Sequence, residues 1–347
     1  MNRNELSFPF KRYQIQNVWR GDRPGKGRYQ EFTQCDCDII GTDSSLCELE
    51  LVQIFHEGLS ALNVPGFKIL INDRRILQAL AARAGVTDEQ FSDWTVAVDK
   101  LDKVGVDGVV REFEQRGLPE DASSQLPDLL SIRDHKDSES CLAALSGLLE
   151  NSEAGLEALA ALKELVSLAM GTGVAKEALR IDPLLARGLD YYTGAIFEVV
   201  VDDAPVGSIC GGGRYDDLTG IFGWSGISGV GVSFGADRIE DVLNHFDAWP
   251  NLATDGLDAM VVQMEGGSLA TELKAVKSIR DGGMSAELYP AKAKLKKQFK
   301  YANDRGVRWV LIFGEEELVA GHVMLKDMQE GSQKATTLEE AISVIGS

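Results

Sequence analysis

Cysteine is sparse in this chain. Cys35, Cys37, Cys47, Cys141 and Cys210 are odd in number and irregularly spaced, which argues against a disulfide framework and for a reducing compartment. No second pair at zinc-ligand spacing follows Cys35 and Cys37, so no metal held by protein side chains is expected. Long apolar runs are missing too, and no charged-then-apolar leader opens the chain. The expectation is a cytoplasmic location and no membrane partner. Positive charge is short: 35 Lys and Arg stand against 54 Asp and Glu, a net charge of -19. Nonspecific attraction to nucleic acid is not favoured over the whole surface, which leaves only a local basic patch to bind a polyanion. Histidine is rarest of all. His56, His135, His245 and His322 are scattered, and no Ser/His/Asp or Cys/His arrangement suggests a nucleophile. There is no Gly-x4-Gly-Lys phosphate loop, no internal repeat and no low-complexity tract.

What is present is ordinary in bulk and specific in detail. At 347 residues, with 44% hydrophobic and 26% charged residues, the chain suits two or three globular domains. Residues 1–74 read as strand-rich: Tyr13 to Arg20 and Arg28 to Gly41 form a long hairpin around the Gly- and Pro-punctuated loop 21–27. Residues 75–175 turn to helical spacing, as in Ile76 to Ala84 and Gly155 to Met170, and read as a separate helical insertion. Residues 176–248 return to strands and Gly-rich turns. After a linker at 249–256, residues 257–347 alternate strands with helices, which implies a small α/β domain with a largely parallel sheet.

Four stretches carry the chemistry. Gln34, Asp36 and Asp38 lie two apart on a strand and share a face, opposite Cys35, Cys37 and Ile39. They offer an amide and carboxylates to a ligand, or simply a solvated face. Arg20, Arg23, Lys26 and Arg28 flank the hairpin loop, and guanidinium forks suit phosphate oxygens. The bland alternative is a solvated charged loop. Residues Arg187-Gly-Leu-Asp-Tyr-Tyr-Thr-Gly194 crowd a cation, a carboxylate and two phenols before the strand Ala195 to Val201. Such a cluster is costly in a packed interior unless it binds something polar. Lastly, Gly229, Gly231, Ser233 and Gly235 alternate with Val230, Val232 and Phe234. As a strand this has one nearly bare face, a platform for a planar ring such as adenine, with Arg238 opening the next helix. The dinucleotide-fold reading fails on glycine spacing. Cations beside a flat glycine platform suit a triphosphate nucleotide, and the amide, carboxylates and phenols suit a small zwitterion. The reaction is read as nucleotidyl transfer to a carboxylate, driven by positioning and charge neutralisation.

On these residues the chain resembles the histidyl-tRNA synthetase family, a class II aminoacyl-tRNA synthetase. Residues 18–41 resemble class II motif 2, 187–194 the signature of histidine-specific enzymes, 211–216 its second signature, and 229–238 motif 3. The resemblance implies an α+β fold: a class II antiparallel-sheet catalytic core with a helical insertion, plus a C-terminal α/β anticodon-binding domain. It implies activation of histidine by ATP, with Mg2+, and transfer of the histidyl group to the 3′ end of tRNA(His). Arg20, Arg187 and Arg238 match the catalytic arginines on the phosphates and the substrate carboxylate. Gln34, Asp38, Tyr191, Tyr192 and Tyr215 match the histidine pocket, with Tyr192 expected on the imidazole. Arg28 is a further ATP contact. Lys294, Lys296 and Lys297, in a lysine cluster of an acidic chain, are expected to meet tRNA phosphates. The chain begins shortly before motif 2, so motif 1 and the loop that grips the histidine amino group are expected upstream. The full-length protein is expected to be a homodimer. The alternatives are an inactive truncated fragment, a regulatory or tRNA-binding paralogue, and a class II enzyme for glycine, threonine or proline, which the 187–194 signature disfavours.

Overall fold

The computed structural model describes residues 5–135, 137–186, 191–216, 218–249 and 257–346. The chain divides into two compact units, Met1–Pro250 and Asn251–Ser347.

In chain order the first unit runs β1 (Phe10–Trp19), β2 (Glu31–Ile40), α1 (Leu46–Ala61) and β3 (Phe67–Asp73). The helices α2 (Arg74–Arg83), α3 (Phe91–Val98), α4 (Leu101–Gln115), α5 (Leu126–Arg133), α6 (Ser138–Leu148) and α7 (Glu153–Gly171) follow. The unit closes with β4 (Leu179–Ile181), β5 (Ala195–Val201), β6 (Cys210–Arg214), β7 (Gly229–Gly235) and α8 (Ala236–Phe246). Its seven strands make one sheet in the order β1-β2-β7-β6-β5-β3-β4. Every pairing is antiparallel except β3 with β4.

Alternation decides which face is core. Ile39, Cys210, Val230, Val232 and Phe197 are buried together with Leu51, Phe55 and Leu59 of α1, and the Phe55 ring meets Phe234 edge-on at 5.1 Å. Each fully buried side chain of this size contributes about 1.5–3 kcal/mol relative to exposure. Helix α1 runs through the zone read as strand-rich. Its stretch Glu48-Leu-Glu-Leu51 alternates like a strand, but Cys47, Leu51, Phe55 and Leu59, spaced by four, form the buried stripe. The helices from α2 to α7 belong to the first unit, and their buried side chains join the same core cluster as the sheet. Asp73 caps α2 and Ser152 caps α7 through their side chains. All five cysteines are free. Burial pushes the Cys141 thiol up to about 12 and raises those of Cys35, Cys37 and Cys47, which disfavours thiolate chemistry at these positions.

The second unit comprises β8 (Ala259–Val261), α9 (Leu269–Asp281), β9 (Ala286–Leu288), α10 (Leu295–Asp304), β10 (Trp309–Ile312), α11 (Glu315–Ala320), β11 (Val323–Asp327), β12 (Gln333–Thr336) and α12 (Leu338–Ile345). Strand β8 pairs in parallel with β9 and β10, as the strand–helix alternation implies. An antiparallel hairpin, β11 and β12, extends the β10 edge and has no counterpart in the sequence reading. Separate apolar clusters cover the sheet, one including Val261 and Leu311, the other Met260 and Val310. Most of the linker expected at 249–256 lies outside the described residues.

Candidate active site

The face of the sheet opposite α1 carries the polar residues in rows, because directly paired residues point to the same side. One row is Arg12–Asp38–Gly231–Gly213, the next is Gln14–Asp36–Ser233–Gly211, and the third is Gln16–Gln34–Gly235. The strand that presents Gln34, Asp36 and Asp38 lies one in from the edge, held by β1 on one side and β7 on the other, which fixes their spacing.

The glycines of this face are required by close approach. A Cβ on Gly231 would lie 2.1 Å from Asp38 Oδ1, and one on Gly229 would lie 2.3 Å from the Tyr215 ring. This corrects the reading of β7 as a bare platform along its whole length. Its first half is covered by the Tyr215 ring and the Asp38 carboxylate. Only Ser233 and Gly235, beside Gly211, line the hollow with the phosphate-suited arginines.

Two hollows share this face and merge. Arg20, Gln34, Tyr191, Tyr192, Gly211 and Ser233 line both. The first continues to Arg28, Phe32 and Arg238, and the second to Arg12, Asp38 and Tyr215. Of the residues expected at the site, Arg20, Arg28, Gln34, Asp38, Tyr191, Tyr192, Tyr215 and Arg238 therefore come together in one cleft. Arg187 lies outside the described residues. Lys294, Lys296 and Lys297 are exposed at the start of α10, in the second unit.

At the first end the cations sit on loops and element ends. Arg20, next after β1, stacks its guanidinium 5.0 Å from the centre of the Phe32 ring and reaches Gln34 Oε1 at 3.5 Å. Arg238, in the first turn of α8, donates from Nε to the Gly27 carbonyl at 2.7 Å and from Nη1 to the Ser208 carbonyl at 2.6 Å. It thereby holds the hairpin loop. Gly27 has φ +65, and a side chain there would strike Val206. Asp237 accepts from the Thr33 amide at 2.7 Å, and Tyr29 donates to Asp241 at 2.7 Å. The hydrogen bond to Asp241, aided by burial, pushes the Tyr29 phenol up to about 12.

At the second end side chains bind side chains. Asp38 accepts from the Tyr215 hydroxyl at 2.6 Å and from Arg12 Nη1 at 2.7 Å. Burial, and then the bond to Asp38, raises the Tyr215 phenol far above its ordinary value, so it remains a donor. Tyr191 donates to the Tyr192 hydroxyl at 3.3 Å, and Ser233 donates to Asp36. Behind this end lies Arg214 of the second signature. It is 7% exposed, donates to both oxygens of buried Glu48, one at 2.6 Å, and donates to Ser228 and the Thr42 carbonyl. Asp216 accepts from Thr193 and Ser228 at 2.5 Å each. The turn following Tyr192 is thereby fastened to the second signature. Removing one partner of such a buried pair costs about 3–5 kcal/mol. The sequence predicts the first strand from Tyr13, which leaves out Arg12, whereas the strand begins at Phe10 and Arg12 alternates with Gln14 and Gln16.

A mostly antiparallel sheet bearing this cleft, followed by an α/β unit, is the architecture that the resemblance to the class II aminoacyl-tRNA synthetases implies. A family model for histidyl-tRNA synthetase matches residues 4–239, and one for an anticodon binding domain matches residues 258–347. The chain belongs to the histidyl-tRNA synthetase family. It is 45% identical to a histidine–tRNA ligase of Phocaeicola vulgatus over 99% of this chain and 75% of that protein. Against the histidine–tRNA ligase of Cytophaga hutchinsonii it is 42% identical over the same shares. The crystal structure of histidyl-tRNA synthetase from Nostoc sp. PCC 7120 superposes with a TM-score of 0.86 at 31% identity, covering 99% of this chain and 79% of that one.

Proposed function

We propose that this chain activates histidine with ATP, forming histidyl-adenylate and pyrophosphate, and then passes the histidyl group to the 3′ end of tRNA(His). The observation that carries this reading is the shared wall of the cleft. Arg20 borders both hollows, so one guanidinium can meet a substrate carboxylate and an α-phosphate together.

In the first step a carboxylate oxygen of histidine attacks the α-phosphorus and pyrophosphate leaves. The carboxylate is already a nucleophile, so positioning and charge neutralisation suffice and no general base is required. Arg20 spans the reacting groups, Arg238 and Arg28 face the outer phosphates, and Ser233 and Gly235 leave room for the nucleotide beside Gly211. Arg187 joins them by the match of its motif. Asp38 and Tyr192 receive the imidazole, with Tyr215, Tyr191 and Gln34 forming the adjoining wall. In the second step a ribose hydroxyl of the tRNA attacks the acyl carbon and AMP leaves. Mg2+ would enter with the triphosphate and neutralise phosphate charge. Asp22 and Asp237 line that end, but among the described residues no group of three or more His, Cys, Asp or Glu could hold a metal ion. A nucleotide-bound Mg2+ commonly takes its ligands from the phosphates, waters and one or two carboxylates.

The exposed lysines of α10 suit tRNA phosphates. A homodimer in the cytoplasm is the setting that the family implies. Tyr13, Ile15 and Trp19, exposed along edge strand β1, are apolar surface that a partner would cover. No helix among the described residues is long and apolar enough to cross a membrane. The test is ATP–pyrophosphate exchange with each amino acid in turn. Exchange with histidine alone supports the reading; exchange with another amino acid, or with none in a folded sample, overturns it.

A further inference from the structure

Arg12 lies at the outer end of the row that contains Asp38, and its side chain is about one-third exposed in the hollow. Its Nη1 donates to Asp38 Oδ2 at 2.7 Å and its Nη2 to Gln14, while Tyr215 donates to Asp38 Oδ1 at 2.6 Å. Each carboxylate oxygen has two lone pairs, so Asp38 keeps acceptor capacity toward the hollow after both bonds are made. The charged and titratable groups among the described residues of this hollow are Arg12 from β1, Asp36 and Asp38 from β2, Arg20 beyond β1, and the phenols of Tyr191, Tyr192 and Tyr215. Strand β7 contributes Gly231, Val232 and Ser233, and β6 contributes glycines. Two guanidinium groups therefore match two carboxylates.

A carboxylate presented alone at the end of a pocket attracts any cation. Paired with an arginine it remains a hydrogen-bond acceptor but loses that attraction. We propose that Arg12 makes this hollow select the neutral imidazole: it cancels the charge of Asp38, so the carboxylate accepts a ring N–H while an imidazolium, a lysine or an arginine gains nothing. Arg12 acts through Asp38 and is a positioning residue. The inference rests on the reading that this hollow takes the histidine side chain.

The experiment is calorimetric titration of the full chain with histidine at about pH 7.5 and about pH 5.5. The unaltered protein is compared with Arg12→Met, Arg12→Gln and Arg12→Lys. With an imidazole pKa of about 6.5, the neutral fraction of histidine falls roughly tenfold between those conditions. The unaltered protein and Arg12→Lys should lose affinity by about that factor. Arg12→Met and Arg12→Gln should bind histidine more weakly at the higher pH and change by less than about threefold between the two, because the uncancelled carboxylate now also accepts the imidazolium. ATP affinity, measured in the same samples, should be equal for all four proteins. Neutral variants that keep the tenfold pH dependence, or that lose ATP affinity together with histidine, overturn the inference and leave the histidine reading in place. If the unaltered chain binds no histidine at either pH, that reading falls and the inference with it.

Discussion

The two ends of the cleft are held in different ways. At the end proposed to take the triphosphate, cationic groups sit on a loop and at element ends, and their ties run largely to backbone carbonyls: Arg238 to Gly27 and Ser208, with Arg20 resting on a ring. At the end proposed to take the amino acid, Gln34, Asp38 and Gly231 lie on paired strands in fixed register, and Asp38 is bound by the side chains of Arg12 and Tyr215. A triphosphate is long, flexible and rich in acceptors, so charges that can adjust suffice. An imidazole has two ring nitrogens and must be distinguished from rings of similar size, which needs acceptors held within a few tenths of an ångström.

The largest effect is expected where the ends meet. Arg20→Ala removes the group that borders both hollows, and should lower kcat for histidine-dependent exchange about 10²- to 10³-fold, with an unchanged thermal midpoint. Its guanidinium makes no short ion pair among the described residues, so the fold does not depend on it. A loss confined to the KM for ATP, with kcat intact, would place Arg20 at the phosphate end only.

How much of this was legible in the sequence follows the same division. The residues Arg20, Gln34, Asp38, Tyr215 and Arg238 are named from the sequence because they fall in stretches that match the family's motifs. The reason for the glycines could not. Gly229 and Gly231 read as a surface for a flat ligand, whereas they make room for Tyr215 and Asp38, whose approach is a tertiary fact. Arg12 falls just outside the strand that the sequence predicts from Tyr13, because Phe10 to Arg12 carry little apolar contrast. Helix α1 was hidden because the stretch around Glu48 satisfies both periods, and buried Glu48 makes sense only against Arg214, 166 residues later. Hairpin β11–β12 carried too little contrast, since β12 is exposed at three of its four residues.

A smaller effect should separate the ends. Tyr215→Phe removes the donor to Asp38 and leaves the ring over Gly229 in place. The KM for histidine should rise about tenfold, as expected for one hydrogen bond to a charged group whose second partner remains. The KM for ATP should not move, and kcat should change by less than about threefold. Equal changes in both KM values would mean that the two ends respond as one and that the division drawn here is false.

The smallest effect tests how firmly the hairpin loop is tied to α8. Tyr29 donates to Asp241, and the phenol is pushed up to about 12 from an ordinary value near 10. A folded-state value above the unfolded one means that the tie is fully present below about pH 10 and is lost as pH rises toward about 12. Ultraviolet titration of phenolate is the measurement, comparing the unaltered chain with Tyr29→Phe. At about pH 11, if Tyr29 is still protonated in the fold, the two should show the same amount of phenolate. One phenolate fewer in the variant would mean that Tyr29 titrates like a free tyrosine and that the loop is not tied there. Proteolysis within residues 21–27 should be only modestly faster in the variant at neutral pH, because Arg238 and Asp237 still hold the neighbouring backbone.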